Sequence, residues 1–162
     1  MRILGLPGRL PETAPRIEAL GLALADQVEV QRYAAWPGDP IPDEAAEAAR
    51  AARHSPDLVI AMSFGCLVAM AARETHGLNA EAYVFMGAPV RRLAVEGRLR
   101  LLARQAQAAP TLFIQQTDDF TGPYRELLAA LPPDAVAHEV PGADHVYDAA
   151  GGLAEVIARW RA

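Results

Sequence analysis

The sequence predicts an α/β fold: a three-layer, doubly wound, mostly parallel sheet of about six strands. Two observations predict it. Short apolar runs alternate with longer segments of helical periodicity, the pattern of strand–helix units that cover a parallel sheet on both faces. These units are too few to close an eight-fold barrel, so the sheet stays open and its ligands bind beyond the carboxyl ends of the strands. The chain has 162 residues, enough for one domain over residues 1–162 and for a core that needs no staples.

The elements follow in order. Residues 2–6 read as a buried strand closed by Pro7-Gly8, and 15–25 as a helix with Ile17, Leu20 and Leu24 on one face. Residues 28–33 alternate as a second strand, and 34–42 form a Pro/Gly-rich loop. Residues 43–53 are an Ala-rich helix whose acidic first turn suits the helix dipole. Residues 58–62 are a third strand with a helix behind it at 64–75, and 82–86 a fourth strand stopped by Gly87-Ala88-Pro89. Residues 90–108 are the longest helical stretch. A fifth strand at 111–116, a short helix at 123–131, a sixth strand at 135–140 and a closing helix at 146–161 complete the chain.

Composition removes several functions. Net charge is −5, which argues against a broad nucleic-acid surface. All 15 basic residues are Arg; without Lys there is neither Schiff-base chemistry nor a P-loop. The single Cys66 excludes a disulfide framework and Cys-cluster metal sites, and His54, His76 and His138 lack paired ligand spacing, so no metal is expected. No apolar run reaches the length of a membrane span and no signal-peptide h-region is present, so a cytoplasmic protein without membrane contact is expected.

The chemistry-bearing residues sit where strands end. Ala61-Met62-Ser63-Phe64-Gly65 follows a strand and opens a helix, as a nucleophile elbow does. Its sharp turn needs small residues on both sides of the Ser, here Ala61 and Gly65. The alternative is a Ser that only caps the helix. Thr117-Asp118-Asp119 follows the fifth strand, where a carboxylate could orient a His or merely turn the chain. Gly142-Ala143-Asp144-His145 follows the sixth strand, and His145 could serve Ser63 as general base or sit on a surface loop. The order Ser, Asp, His after successive strands favours a triad. An acyl-transfer site also needs two oxyanion donors. The main-chain N–H of Phe64 is one; in the loop after the first strand Pro7 has no N–H, so Arg9 is the other candidate. Gly5-x-x-Gly8 with Pro7 inside it does not match a dinucleotide-binding loop.

On these residues the sequence resembles the α/β-hydrolase superfamily, in particular its compact, cap-less members of the dienelactone-hydrolase type. The matching pieces are Leu6-Pro7-Gly8-Arg9, Ala61-Met62-Ser63-Phe64-Gly65-Cys66, the Asp118-Asp119…Pro123 segment, and Pro141-Gly142-Ala143-Asp144-His145. Gln116 and Ala61 stand where the family usually has Gly. Alignment on Pro123 implies that the acid is Asp119, with Asp118 as the alternative. The resemblance implies that the first two antiparallel strands of the family are missing and that the strand order is 2-1-3-4-5-6.

It further implies a serine hydrolase without a cofactor, acting on a small-molecule acyl substrate. Ser63 would attack an ester or thioester, His145 accept its proton, and Asp119 hold the imidazole. Activity would rise as the imidazole loses its proton, about pH 6 to 7 by reference values. Without a lid the site would be open or shallow, with Met86, Trp36 and Tyr147, and with them Pro89, as candidates to line it. Cys66 could lie near it, though a small buried helix residue is the plainer reading. A catalytically silent binding protein and an acyltransferase using the same triad are the rival functions. Neither oligomeric state nor pathway is specified by the pattern.

Overall fold

The strands are β1 (Arg2–Leu6), β2 (Gln27–Val30), β3 (Leu58–Met62), β4 (Ala82–Met86), β5 (Thr111–Gln116) and β6 (Val136–Val140). In the computed structural model, which describes residues 1–36, 41–147 and 152–162, they form one parallel sheet in the order β2-β1-β3-β4-β5-β6, as expected. β3, β4 and β5 are buried at every position, whereas the edge strands β2 and β6 are partly exposed. Burial on both faces explains why the central strands read as continuous apolar runs.

Alternate residues of each strand enter two cores. Ile3, Leu58, Ile60, Val84 and Ile114 pack under α1 (Ala14–Leu22) and α7 (Leu153–Arg161), through Ile17, Leu20, Leu153 and Ile157. Leu4, Val59, Ala61, Tyr83, Phe85 and Phe113 pack on the other face. There they meet α2 (Glu44–Ala51), α3 (Phe64–His76), α4 (Val90–Val95), α5 (Arg100–Ala108) and α6 (Tyr124–Ala130). The acidic start of α2 is as expected: Asp43 caps it, its side chain accepting the Ala46 N–H at 3.0 Å.

Several boundaries differ from expectation; the first two helices, for example, end at Leu22 and Ala51 rather than at 25 and 53. The single helix expected over 90–108 is two. Gly97, at φ +66°, ends α4 in the left-handed conformation, and Arg98 N–H bonds back to the Leu93 carbonyl at 2.7 Å. The Arg98 side chain then pairs with Glu44 and Glu96, fixing the turn. The second strand ends at Val30 rather than 33, because Gln31 and Tyr33 turn inward to bond Glu47 and the Pro7 carbonyl. A 3-10 turn at Pro11–Thr13 precedes α1. The closing helix begins at Leu153, after Gly152 in the left-handed conformation (φ +73°), and not at 146, where His145 at φ +60° and an Asx turn from Asp144 to the Val146 N–H (3.0 Å) shape the chain instead. Residues 37–40 of the expected Pro/Gly-rich loop, and 148–151 of the expected closing helix, lie outside the described residues.

The chain leaves β1 in one direction towards β2 and returns to place β3 on the other side. Residues after β1 and β3 therefore flank the crevice where the winding reverses, the position at which open α/β sheets bind ligands.

Candidate active site

Ser63 joins β3 directly to α3 at φ +53°, ψ −115°, a strained turn for a residue with a side chain. Its N–H bonds the Met86 carbonyl at 2.9 Å, which ties the turn to β4. The side chain makes no capping bond to α3, so capping does not account for a Ser here. The turn brings α3 hard against the end of β1. A Cβ on Gly65 would lie 2.0 Å from the Leu6 carbonyl oxygen and 2.7 Å from that of Pro7. Ala61, wholly buried, occupies the other crowded position.

The loops after β5 and β6 are stitched together. Thr117 N–H bonds the Val140 carbonyl at 2.9 Å, and Asp118 N–H that of Gly142 at 3.0 Å. This stitching faces Asp119 inward and leaves Asp118 exposed. Asp119 Oδ2 meets His145 Nδ1 at 2.8 Å and accepts the Tyr147 hydroxyl at 2.6 Å. Its Oδ1 accepts the Thr121 N–H and hydroxyl at 2.8 and 2.7 Å. Burial pushes the carboxyl up, but the bonds from His145, Tyr147 and Thr121 outweigh it and hold the group below the usual carboxylate range. An anionic Asp119 makes Nδ1 the protonated ring nitrogen, so Nε2 carries the lone pair. Nε2 is buried and has no hydrogen-bond partner among the described residues.

His145 and Ser63 border one cleft of about 420 Å³, together with Phe64 and Arg9. Leu10, Leu67, Pro89 and Phe120 give it a mainly apolar wall. Arg91 and Arg92 stand at its edge, engaged with Glu126 and Glu96. The Phe64 and Arg9 N–H groups make no hydrogen bond among the described residues. Arg9 is held through its carbonyl, which accepts the Trp36 indole N–H at 2.9 Å. Tyr33, edge-on to both Trp36 and Phe64, donates its hydroxyl to the Pro7 carbonyl at 2.6 Å.

The structure therefore brings Ser63, His145, Phe64 and Arg9 to one cleft and joins Asp119 to His145. It does not bring Met86, Trp36 or Tyr147 to the cleft wall. Met86 points into the core and is wholly buried, Trp36 lies behind the Arg9 loop, and Tyr147 is buried beneath Asp119. Apolar character alone does not separate a wall residue from a core residue. Leu10, Leu67, Phe120, Thr121 and Gln116 were missed; only the position of the last three near the suspected acid hinted at them. Cys66 is buried behind the elbow, near the Ala61 and Met86 carbonyls, and burial raises its thiol far above the usual range. No cluster of three or more His, Cys, Asp or Glu able to hold a metal occurs among the described residues. Nor, among them, is any helix long and apolar enough to cross a membrane.

No protein-family model and no curated protein sequence matches the chain. Two solved structures share its fold: PEG-bound and zinc-bound forms of a novel cold-adapted esterase from an Arctic intertidal metagenomic library. The first is 16% identical with a TM-score of 0.63, over 98% of this chain and 82% of that one. The second is 14% identical with a TM-score of 0.62, over 98% and 81%. Likeness at this level is one of fold.

Proposed function

We propose that the chain is a serine hydrolase that cleaves a small ester or thioester through Ser63, His145 and Asp119. The observation that carries the reading is the Asp119–His145 contact at 2.8 Å, with His145, whose buried Nε2 has no hydrogen-bond partner among the described residues, lining the same cleft as Ser63. The fold shared with structures described as esterases agrees with it.

In this reading Ser63 Oγ attacks the carbonyl carbon while Nε2 of His145 takes its proton. Asp119 stays ionised, holds the tautomer and stabilises the imidazolium. The Phe64 and Arg9 N–H groups receive the oxyanion, whose charge they meet without reorganising. The tetrahedral intermediate collapses, and His145 returns the proton to the leaving alcohol or thiol. Water, deprotonated by the same nitrogen, then splits the acyl-enzyme and frees Ser63. A cleft of about 420 Å³ with an apolar wall suits a small acyl group. On the sequence resemblance, the reading extends to a cytoplasmic, cap-less hydrolase of the dienelactone-hydrolase type.

Labelling with a fluorophosphonate probe tests the reading. Wild-type protein should be labelled on Ser63, and Ser63→Ala should not. Folded wild-type protein that resists the probe would favour a silent binding protein. A panel of p-nitrophenyl esters and acyl-thioesters, with and without added alcohols, separates hydrolysis from acyl transfer.

A further inference from the structure

His145 does not have its carboxylate oxygen to itself. Asp119 Oδ2 also accepts the Tyr147 hydroxyl, at 2.6 Å. That hydroxyl accepts the Gln116 main-chain N–H at 2.8 Å, which occupies its lone-pair side and leaves its proton directed at Asp119. Burial, and then the neighbouring Asp119, keep the phenol protonated well beyond the ordinary tyrosine range, so it is a donor at every working pH. Gln116 also grips the loop by its side chain. Its Oε1 accepts the His145 N–H at 2.7 Å, and its Nε2 donates to Asp144 Oδ1 at 2.8 Å and to the Val146 carbonyl at 3.0 Å. These bonds hold His145 in its left-handed conformation (φ +60°).

We propose that Tyr147, anchored by Gln116, is a positioning residue that shares the Asp119 carboxylate with His145 and so sets how strongly that carboxylate holds the imidazolium. The proposal rests on the triad reading above. A neutral donor on the same oxygen draws negative charge away from the Nδ1–H contact. Removing it concentrates that charge on the imidazole and favours the protonated ring.

Other groups also face this cluster. Arg91, on α4 at the cleft edge, acts on Asp119 through its charge, and the buried Cys66, on α3, is held as a neutral thiol. Asp144, influenced by Arg16 of α1, sits on the far side of Gln116. Thr121 occupies Oδ1, and the Phe120 ring beside His145 carries no charge.

The test is a proton-NMR titration of the His145 ring without substrate, assigned by the signal lost in His145→Gln, alongside the acid limb of kcat/KM. Tyr147→Phe should move the titration midpoint and that limb upward by about half a unit to one unit. Site-specific 3-fluorotyrosine at position 147 keeps the hydroxyl, makes it a stronger donor, and should move both downward. A folded Tyr147→Phe protein with an unmoved midpoint overturns the proposal. Should that variant not fold, the fluorotyrosine protein decides, and a midpoint unmoved or raised overturns it. Because NMR needs no turnover, a midpoint that shifts as expected in a protein inert to fluorophosphonate would retire the hydrolase reading and keep the Tyr147 relationship.

Discussion

Asp119 and His145, 26 positions apart in the chain, meet at 2.8 Å between Oδ2 and Nδ1. The carboxylate is fully buried and the imidazole nearly so, its side chain 12% exposed. Two parallel strands and the two main-chain bonds between their following loops bring them together. The contact is thus a product of sheet register, and it yields the first prediction.

Asp119→Asn keeps the shape of the side chain but presents the wrong group to Nδ1. It should lower kcat on a p-nitrophenyl ester by about 10³- to 10⁴-fold with KM little changed. The exposed neighbour Asp118, changed to Asn, should leave kcat within about twofold.

Acid should destabilise the fold in part through Asp119. Its folded-state pKa lies below the ordinary carboxylate value, so the unfolded chain binds this proton first. The stabilisation is present above the unfolded value, about pH 4, and is lost as pH falls through the lower folded one. Urea midpoints measured from pH 6 to pH 3 should fall more steeply for wild-type protein than for Asp119→Asn.

The elbow should tolerate no side chain at Gly65. The added Cβ would meet main-chain atoms of Leu6 and Pro7, which cannot rotate away. Gly65→Ala should cost about 1–3 kcal/mol in urea denaturation and displace the β1 loop with its oxyanion donor. Activity should fall further than the stability loss alone accounts for.

Trp36 should matter to rate without touching substrate. Trp36→Phe removes the donor that holds the Arg9 carbonyl while keeping a ring on Tyr33. A looser Arg9 peptide should lower kcat about tenfold with KM within about twofold. An unchanged kcat would remove Arg9 from the oxyanion site.

Cys66 should be inert. Its thiol is buried and held protonated, so iodoacetamide should not label the native protein, and Cys66→Ala should keep its activity. Labelling should appear only in denaturant.

Much of the architecture was legible in the chain because strand and helix periodicities are local. β1, β3, β4 and β5 match their apolar runs residue for residue. The second strand ends early because distant bonds override the local pattern, Gln31 and Tyr33 leaving it for Glu47 and Pro7, whereas the long helix is broken locally, by Gly97 in its left-handed conformation within a periodicity that continues on both sides. The residues expected to line the cleft were misread for a related reason. Met86, Trp36 and Tyr147 are large and near the strand ends, but the direction each side chain takes depends on the pleat and on partners far away.

Periodicity, chain order and residue size are enough to give the layered α/β fold, the strand-end positions of Ser63, Asp118-Asp119 and His145, and the small residues a tight elbow requires. That Asp119 rather than Asp118 faces His145, that Tyr147 shares its carboxylate, and that Trp36 holds the Arg9 loop are visible in three dimensions alone. Those relationships depend on the register of neighbouring parallel strands, where a shift of one residue turns every side chain to the opposite face.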